Sequence, residues 1–97
     1  MKNILTRDLN AISNLQVVDV RTPEEFQEGH LPNATNLPVE SLISGNHQSL
    51  DKATPLLIYC ESGARSQIAC QILDQQGYQT YNLLGGYTAW LAHNSKR

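Results

Sequence analysis

The strongest constraint on the fold is a short run of apolar residues past the middle of the chain. The segment Pro55-Leu56-Leu57-Ile58-Tyr59 lacks the polar and apolar alternation of a half-exposed strand, and it is typical of a strand that is covered on both faces. It leads into Cys60 and a glycine-containing loop, after which a helix is predicted over residues 64–76. A buried strand that feeds directly into a helix indicates a βα unit of a parallel sheet.

The rest of the chain repeats this alternation with short links between the elements. Strands are predicted over residues 16–21, 34–37, 55–59 and 79–84, and helices over residues 7–12, 23–28, 39–43, 64–76 and 87–93. This pattern predicts an α/β fold in which right-handed crossovers place helices on both faces of a parallel sheet. The chain has 97 residues and no internal repeat or linker, so a single domain over residues 1–97 is predicted.

Particular residues mark where the helices begin and which faces they bury. Thr6 is a candidate N-cap of the first helix, and Thr22 and Glu25 match a capping box at the second. The helix over residues 64–76 is predicted to bury four apolar side chains, those of Ile68, Ala69, Ile72 and Leu73. Cys70 lies off the centre of this stripe, and a packing role is predicted for it. The closing helix is predicted to place three side chains in the core, those of Tyr87, Trp90 and Leu91.

Composition and charge argue against several classes of function. The net charge of −2 leaves no basic surface of the kind that nucleic-acid binding requires, and no run approaches the roughly 18 apolar residues of a membrane-spanning helix. Residues 1–8 do not resemble a secretory signal, and two cysteines are typical of reduced thiols in a cytoplasmic protein. The histidines and cysteines show no zinc-ligand spacing, and Gly85-Gly86 lacks the next glycine of a dinucleotide loop, so neither metal nor nucleotide is predicted.

Cys60 lies where chemistry collects in a parallel sheet, at the carboxyl end of a strand. Loop amides that turn inward, together with the positive end of the following helix dipole, favour the thiolate, which is the reactive form of cysteine. Gly63 permits the backbone of a tight cradle, and Arg65 supplies a permanent cation for anionic substrates. Ser62 and Ser66 add hydroxyl groups. A cysteine that only fills the core has no need of such surroundings, so a reactive thiol is favoured.

Asp19 and Arg21 end a neighbouring strand, beside the expected site. One interpretation is that they support the site by positioning the loop through hydrogen bonds. The other is that they form an ion pair that fixes only the strand end and Glu25. The sequence leaves both interpretations open.

Three blocks of the sequence resemble the rhodanese domain family. The segment Cys60-Glu61-Ser62-Gly63-Ala64-Arg65-Ser66 resembles its active-site loop. The second block runs from DVRTPEEF at residues 19–26 to GHLPNA at residues 29–34 and NLP at residues 36–38, and the third is NLLGGY at residues 82–87, followed by Ala89-Trp90. The blocks stand in the correct order and cover almost the whole chain.

The resemblance implies a three-layer α/β/α fold with a five-stranded parallel sheet in the strand order 3-2-4-5-1. It also implies sulfane-sulfur transfer through a persulfide on Cys60. The donor is expected to be a small anionic sulfur compound such as thiosulfate, or a protein persulfide, and the acceptor a thiol or cyanide. No metal or organic cofactor is required. The loop residues expected to bind the substrate are Glu61, Ser62, Gly63, Ala64, Arg65 and Ser66.

Two alternatives to this function are weighed against the loop itself. Related phosphatases and arsenate reductases place five residues between cysteine and arginine, whereas here four residues separate Cys60 from Arg65. A non-catalytic module of the same family, used for binding or regulation, often lacks the cysteine that this chain retains. Glu61 introduces a carboxylate that would repel a thiosulfate dianion, which predicts that thiosulfate is a poor donor and that a protein persulfide or a neutral donor is preferred. The alternative is that Glu61 points into solvent and has little effect.

Overall fold

The structure, a computed structural model, describes residues 1–47 and 49–95. Its centre is a five-stranded sheet in which every pairing is parallel, with the order β3-β2-β4-β5-β1. The strands are β1 (Lys2–Ile4), β2 (Gln16–Asp19), β3 (Thr35–Asn36), β4 (Leu56–Tyr59) and β5 (Thr80–Leu83). The α-helices are α1 (Pro23–Glu28), α2 (Val39–Ile43), α3 (Ala64–Gln75) and α4 (Gly86–Asn94), and a 3₁₀ helix covers Thr6–Ala11. The predicted strand order is confirmed.

The central strand β4 divides the core into two layers because successive side chains of a strand point to opposite faces. Leu56 and Ile58 pack with α2 and α3 on one face. Leu57 and Tyr59 pack on the other face with side chains of the 3₁₀ helix and of α4. All four strand residues are buried, so the predicted doubly covered strand and the three-layer α/β/α architecture are confirmed.

Strand β1 is not among the strands that the residue pattern predicts, and only the resemblance implies a fifth strand. It has three residues, of which only Ile4 is buried, so it offers no pattern of alternation to read. Its place is fixed by pairing at the sheet edge, where Asn3 lies opposite Asn82 of β5.

The predicted role of Thr6 as an N-cap is wrong. Leu5 occupies the cap position with an extended backbone, and Thr6 is the first residue of the 3₁₀ helix. The buried Thr6 Oγ1 has no hydrogen-bond partner among residues 1–47 and 49–95. The reason is that the chain leaves the unpredicted strand β1 at Ile4, which places the extended residue one position before Thr6.

The buried face of α3 differs from the prediction. Its buried residues are Ser66, Ala69, Cys70 and Leu73, which follow the helical spacing i, i+3, i+4 and i+7. Ile68 is 49% exposed, contrary to prediction. The apolar residues alone predict a buried face that includes Ile68, whereas the helix buries the polar residue Ser66 on its inner face. Leu91, predicted to lie in the core, is also exposed in α4, whereas Tyr87 and Trp90 pack against the core.

The capping box of α1 is confirmed. The Glu25 amide donates to Thr22 Oγ1 at 3.2 Å, and the Thr22 amide donates to Glu25 Oε1 at 3.0 Å. These bonds satisfy backbone amides that the first turn of a helix leaves without partners.

Within the described part of the chain, no helix is long and apolar enough to cross a membrane.

Candidate active site

Cys60 follows β4 directly and lies beneath the loop that leads to α3. Its side chain is 1% exposed, yet its surroundings are not purely apolar. The amide of Gly63 donates to Cys60 Sγ at 3.1 Å, and the amide of Ser66 approaches the same sulfur at 3.4 Å. The inward-facing amides predicted from the sequence are therefore present around this sulfur.

Gly63 makes this arrangement of the loop possible. It has φ of +116° and occupies the N-cap position of α3. Residues with a side chain rarely adopt this conformation, whereas glycine adopts it without steric cost. The turn at Gly63 brings the first amides of α3 toward the sulfur, where they act with the positive end of the helix dipole.

The two cysteines have opposite electrostatic environments. Burial raises the pKa of the Cys60 thiol, but hydrogen bonds from the Ser66 side chain and from the amides of Ser66, Gly63 and Ser62 outweigh burial, so the pKa is lowered overall. At Cys70, burial dominates and raises the pKa to about 11. The loop therefore stabilises a thiolate at Cys60, whereas Cys70 is a protonated core residue.

The Ser66 hydroxyl is the side-chain group that connects Cys60 to β5. Ser66 Oγ lies 3.5 Å from Cys60 Sγ, 3.1 Å from the carbonyl oxygen of Gly63 and 2.5 Å from Asn82 Oδ1. Both Ser66 and Asn82 are buried. In the thiolate form of Cys60, this hydroxyl can donate to the sulfur and stabilise its charge.

Replacing Ser66 with alanine is expected to raise the pKa of Cys60 because the hydroxyl donor is removed while the backbone amides remain. The iodoacetamide alkylation rate of Cys60 at pH 7 should fall about tenfold, as expected for the loss of a hydrogen bond to a charged group. The measurement is the alkylation rate against pH, whose midpoint should move to higher pH than in the wild type. An unchanged midpoint would show that the amides alone set the pKa.

Arg65 lies in the first turn of α3, and a carboxylate from α1 holds its guanidinium. Arg65 Nη1 and Nη2 donate to Glu25 Oε1 and Oε2 at 2.8 Å and 3.0 Å. This pairing lowers the pKa of Glu25 to about 2. Glu25 therefore belongs both to the capping box of α1 and to an ion pair with the loop, a contact that the sequence did not reveal.

Asp19 and Arg21 form a buried ion pair. Arg21 Nη2 and Nε donate to Asp19 carboxylate oxygens at 2.7–3.1 Å, and Arg21 Nη2 also donates to the Gly29 carbonyl at 2.6 Å. The guanidinium carbon lies 4.4 Å from the centre of the Tyr87 ring. Arg21 also reaches Glu61 of the loop, as the first interpretation predicts. Glu25 binds Arg65 and not this pair, contrary to the second.

Glu61 is half exposed but has two side-chain partners. Its Oε1 lies 3.3 Å from Arg21 Nη1, and its Oε2 accepts from Thr88 Oγ1 at 3.0 Å. The Glu61 carboxylate is therefore partly exposed to solvent but is not free of contacts, which lies between the two alternatives that the sequence left open. Because Thr88 belongs to α4, Glu61 links the loop to an element that follows the last strand.

The start of α4 supports the loop through its backbone. The amides of Tyr87 and Thr88 donate to the carbonyl oxygens of Cys60 and Glu61 at 2.9 Å and 3.1 Å. At Gly86, where φ is +58°, an added Cβ would lie 2.5 Å from the Cys60 carbonyl oxygen. Sequence reasoning identified the Gly85-Gly86 turn but missed Gly86 and Thr88 as site residues; the only signal was a glycine pair directly after a strand.

The remaining loop residues, Ser62 and Ala64, lie at the protein surface. A cleft of about 270 Å³ adjoins the loop and is lined in part by Ser62, Gly63, Ala64, Gln67 and Asn82. All six predicted substrate-binding residues thus lie in one loop and in the first turn of α3.

In residues 1–47 and 49–95, no group of three or more histidine, cysteine, aspartate or glutamate side chains is arranged to hold a metal ion.

Comparison with known proteins decides the family. The model of the rhodanese-like domain matches residues 4–93. The chain belongs to the rhodanese-like domain family. This rhodanese-like chain is 42% identical over 90 residues to a sulfurtransferase of Allochromatium vinosum, a match that covers 92% of this chain and 83% of the relative. It is 35% identical over 82 residues to the thiosulfate sulfurtransferase GlpE of Coxiella burnetii, covering 84% of this chain and 76% of the relative.

Solved structures agree with this assignment. A rhodanese-like domain protein from Staphylococcus aureus superposes with a TM-score of 0.84 at 36% identity, covering 93% of this chain and 91% of the other. A rhodanese-related protein from Thermoplasma volcanium gives a TM-score of 0.88 at 29% identity, with coverage of 96% and 93%. The rhodanese-like chain is a sulfurtransferase, which is the function favoured over the phosphatase and arsenate reductase alternatives.

Proposed function

We propose that this sulfurtransferase carries the transferred sulfur as a persulfide on Cys60. The observation that supports the proposal most directly is the pair of amides, from Gly63 and Ser66, directed at Cys60 Sγ. Fixed amide dipoles around a buried sulfur stabilise negative charge without having to reorient during the reaction. A thiolate and a terminal persulfide sulfur both carry such charge.

The reaction proceeds in two displacement steps. The Cys60 thiolate attacks the outer sulfur of a donor such as thiosulfate or a persulfide; the sulfur–sulfur bond of the donor breaks, and its electron pair leaves with sulfite or a thiolate. A nucleophilic acceptor, such as cyanide or a thiol, then attacks the outer sulfur of the Cys60 persulfide and regenerates the thiolate. This covalent scheme predicts ping-pong kinetics and requires no metal or organic cofactor.

The other predicted site residues support these steps. The amides of Ser62, Gly63 and Ser66 stabilise the sulfur, and Arg65 places a cation near Cys60. Asp19 and Arg21 are positioning residues, since Arg21 reaches the loop through Glu61 and not through the sulfur. Ala64 contributes only the first residue of α3.

We infer a cytoplasmic setting and a single-domain unit for this activity. Two cysteines that are both free suit a reducing compartment, and a protein thiol or small thiol is the natural acceptor there. Both hydrophobic clusters lie against one sheet, as expected for a single folding unit.

The proposal is tested by intact-protein mass spectrometry after incubation of the wild-type chain with a sulfane-sulfur donor. We expect a gain of one sulfur atom, removed by cyanide or a reductant. Peptide mapping should find this sulfur on Cys60, and the buried Cys70 serves as an internal control that stays unmodified. A chain that gains no sulfur from either thiosulfate or an organic persulfide would contradict the proposal.

A further inference from the structure

The charges around the loop are already matched among the residues of the protein. Arg21 lies against Asp19 and Glu61, with N–O distances of 2.7 Å and 3.3 Å. Both Asp19 and Arg21 are buried. The Arg21 guanidinium therefore does not face the reacting sulfur as a free cation.

The second cation of the loop is engaged in the same way. Arg65 donates through both terminal nitrogens to Glu25. Two guanidiniums thus face three carboxylates, those of Asp19, Glu25 and Glu61, and the set carries one net negative charge before the Cys60 thiolate is counted. An anionic donor approaching this loop meets a site in which both cations already have resident partners.

Glu61 is the member of this set that is both exposed and adjacent to Cys60. Its side chain is 48% exposed, and Thr88 and Arg21 hold both of its oxygens. Because the carboxylate is held at two points, it cannot swing away from an approaching donor without breaking these contacts. Its negative charge is therefore held beside Arg21 and Thr88, one residue after Cys60.

We propose that Glu61 is a specificity-determining residue that makes the loop prefer an organic persulfide over thiosulfate as the sulfur donor. The inference rests on the proposed persulfide chemistry at Cys60. With R–S–SH as the donor, the Cys60 thiolate attacks the outer sulfur, the sulfur–sulfur bond breaks, and R–S⁻ leaves and takes up a proton from water. With thiosulfate, a thiolate must approach a dianion and release dianionic sulfite beside the Glu61 carboxylate, and each contact between like charges is unfavourable.

The test compares three donors that differ in charge. Thiosulfate is a dianion and methanethiosulfonate is a monoanion. The third donor, 2-hydroxyethyl persulfide, is the R–S–SH donor of the proposal and carries no charged group besides its sulfur atoms. We expect Glu61→Gln to raise kcat/KM for thiosulfate about five- to tenfold at low salt, for methanethiosulfonate about twofold, and for the persulfide by very little. The glutamine amide can still bond Thr88, so the loop keeps this contact.

Asp51→Asn is the matched control, since it also removes one negative charge. Asp51 lies at the opposite end of the sheet, where its carbonyl accepts from Gln16 at the start of β2. Asparagine retains the oxygen that accepts from the Ala53 amide. This variant should leave kcat/KM unchanged for all three donors.

Salt dependence of the wild-type enzyme provides a measurement that needs no variant. Raising the ionic strength from about 20 mM to about 200 mM should increase kcat/KM for thiosulfate, because salt screens repulsion between exposed charges. The inference is overturned if this value stays flat or falls, or if Glu61→Gln affects the three donors equally. Absence of sulfur transfer from every donor would overturn the proposed function itself, which separates the two failures.

Discussion

Replacing Cys60 with serine is expected to abolish sulfur transfer, with a loss of more than about a thousandfold in the rate of thiocyanate formation from a donor and cyanide. The physical reason is that a serine hydroxyl is not ionised at neutral pH, and no hydrogen bonds from Gly63 and Ser66 can compensate for that. The measurement is the steady-state rate together with intact mass, which should show no gain of sulfur.

The matched control is Cys70→Ser, which makes the same chemical change in the core. Cys70 is fully buried on the face of α3 opposite the exposed Ile68, so this variant should lose some stability but retain sulfur transfer. Loss of transfer in the folded Cys70→Ser protein, or retained transfer in Cys60→Ser, would reverse the roles assigned to the two cysteines.

Replacing Asp19 with alanine is expected to destabilise the fold by about 3–5 kcal/mol, the range seen when one partner of a buried ion pair is removed. Asp19 is fully buried, and its carboxylate accepts from the backbone amide and the guanidinium of Arg21. The variant leaves that guanidinium buried beside Tyr87 without its closest counter-charge. The measurement is the free energy of unfolding from urea titration, with the slope compared against wild type.

A double variant distinguishes an orphaned charge from a simple loss of packing. Removing both charges in Asp19→Ala/Arg21→Met should cost less than the sum of the two single changes, because no unpaired buried charge then remains. If the two single effects are additive, the ion pair contributes little and the burial of Arg21 must be explained by its contacts with Gly29 and Tyr87.

Part of the site was readable from the sequence because it depends on local geometry. A strand that leads into Cys60, followed by a turn at Gly63, places the sulfur at the start of a helix. This placement does not depend on which distant residues pack around the loop. The amides around the sulfur follow from that order of residues. The capping box of Thr22 and Glu25 was predictable for the same reason, since its two partners lie three positions apart.

Other parts depend on contacts between residues far apart in the chain. Glu25 and Arg65 are separated by 40 positions, and so are Arg21 and Glu61. Charge and spacing show that such residues can pair but not which pairs form. One of the two interpretations that the sequence left open tied Glu25 to the Asp19–Arg21 pair, whereas in the structure Glu25 binds Arg65.

The sequence by itself determined the order of the helices and of strands β2 to β5 along the chain, the loop that holds Cys60 and the family to which the chain belongs, because these rest on local patterns that neighbouring residues impose. Only the tertiary structure decided the edge strand β1, the buried face of α3 and the fixed position of Glu61. Each of these depends on a surface supplied by a distant element: β5 for the strand, α2 and the sheet for the helix, and Arg21 with Thr88 for the carboxylate.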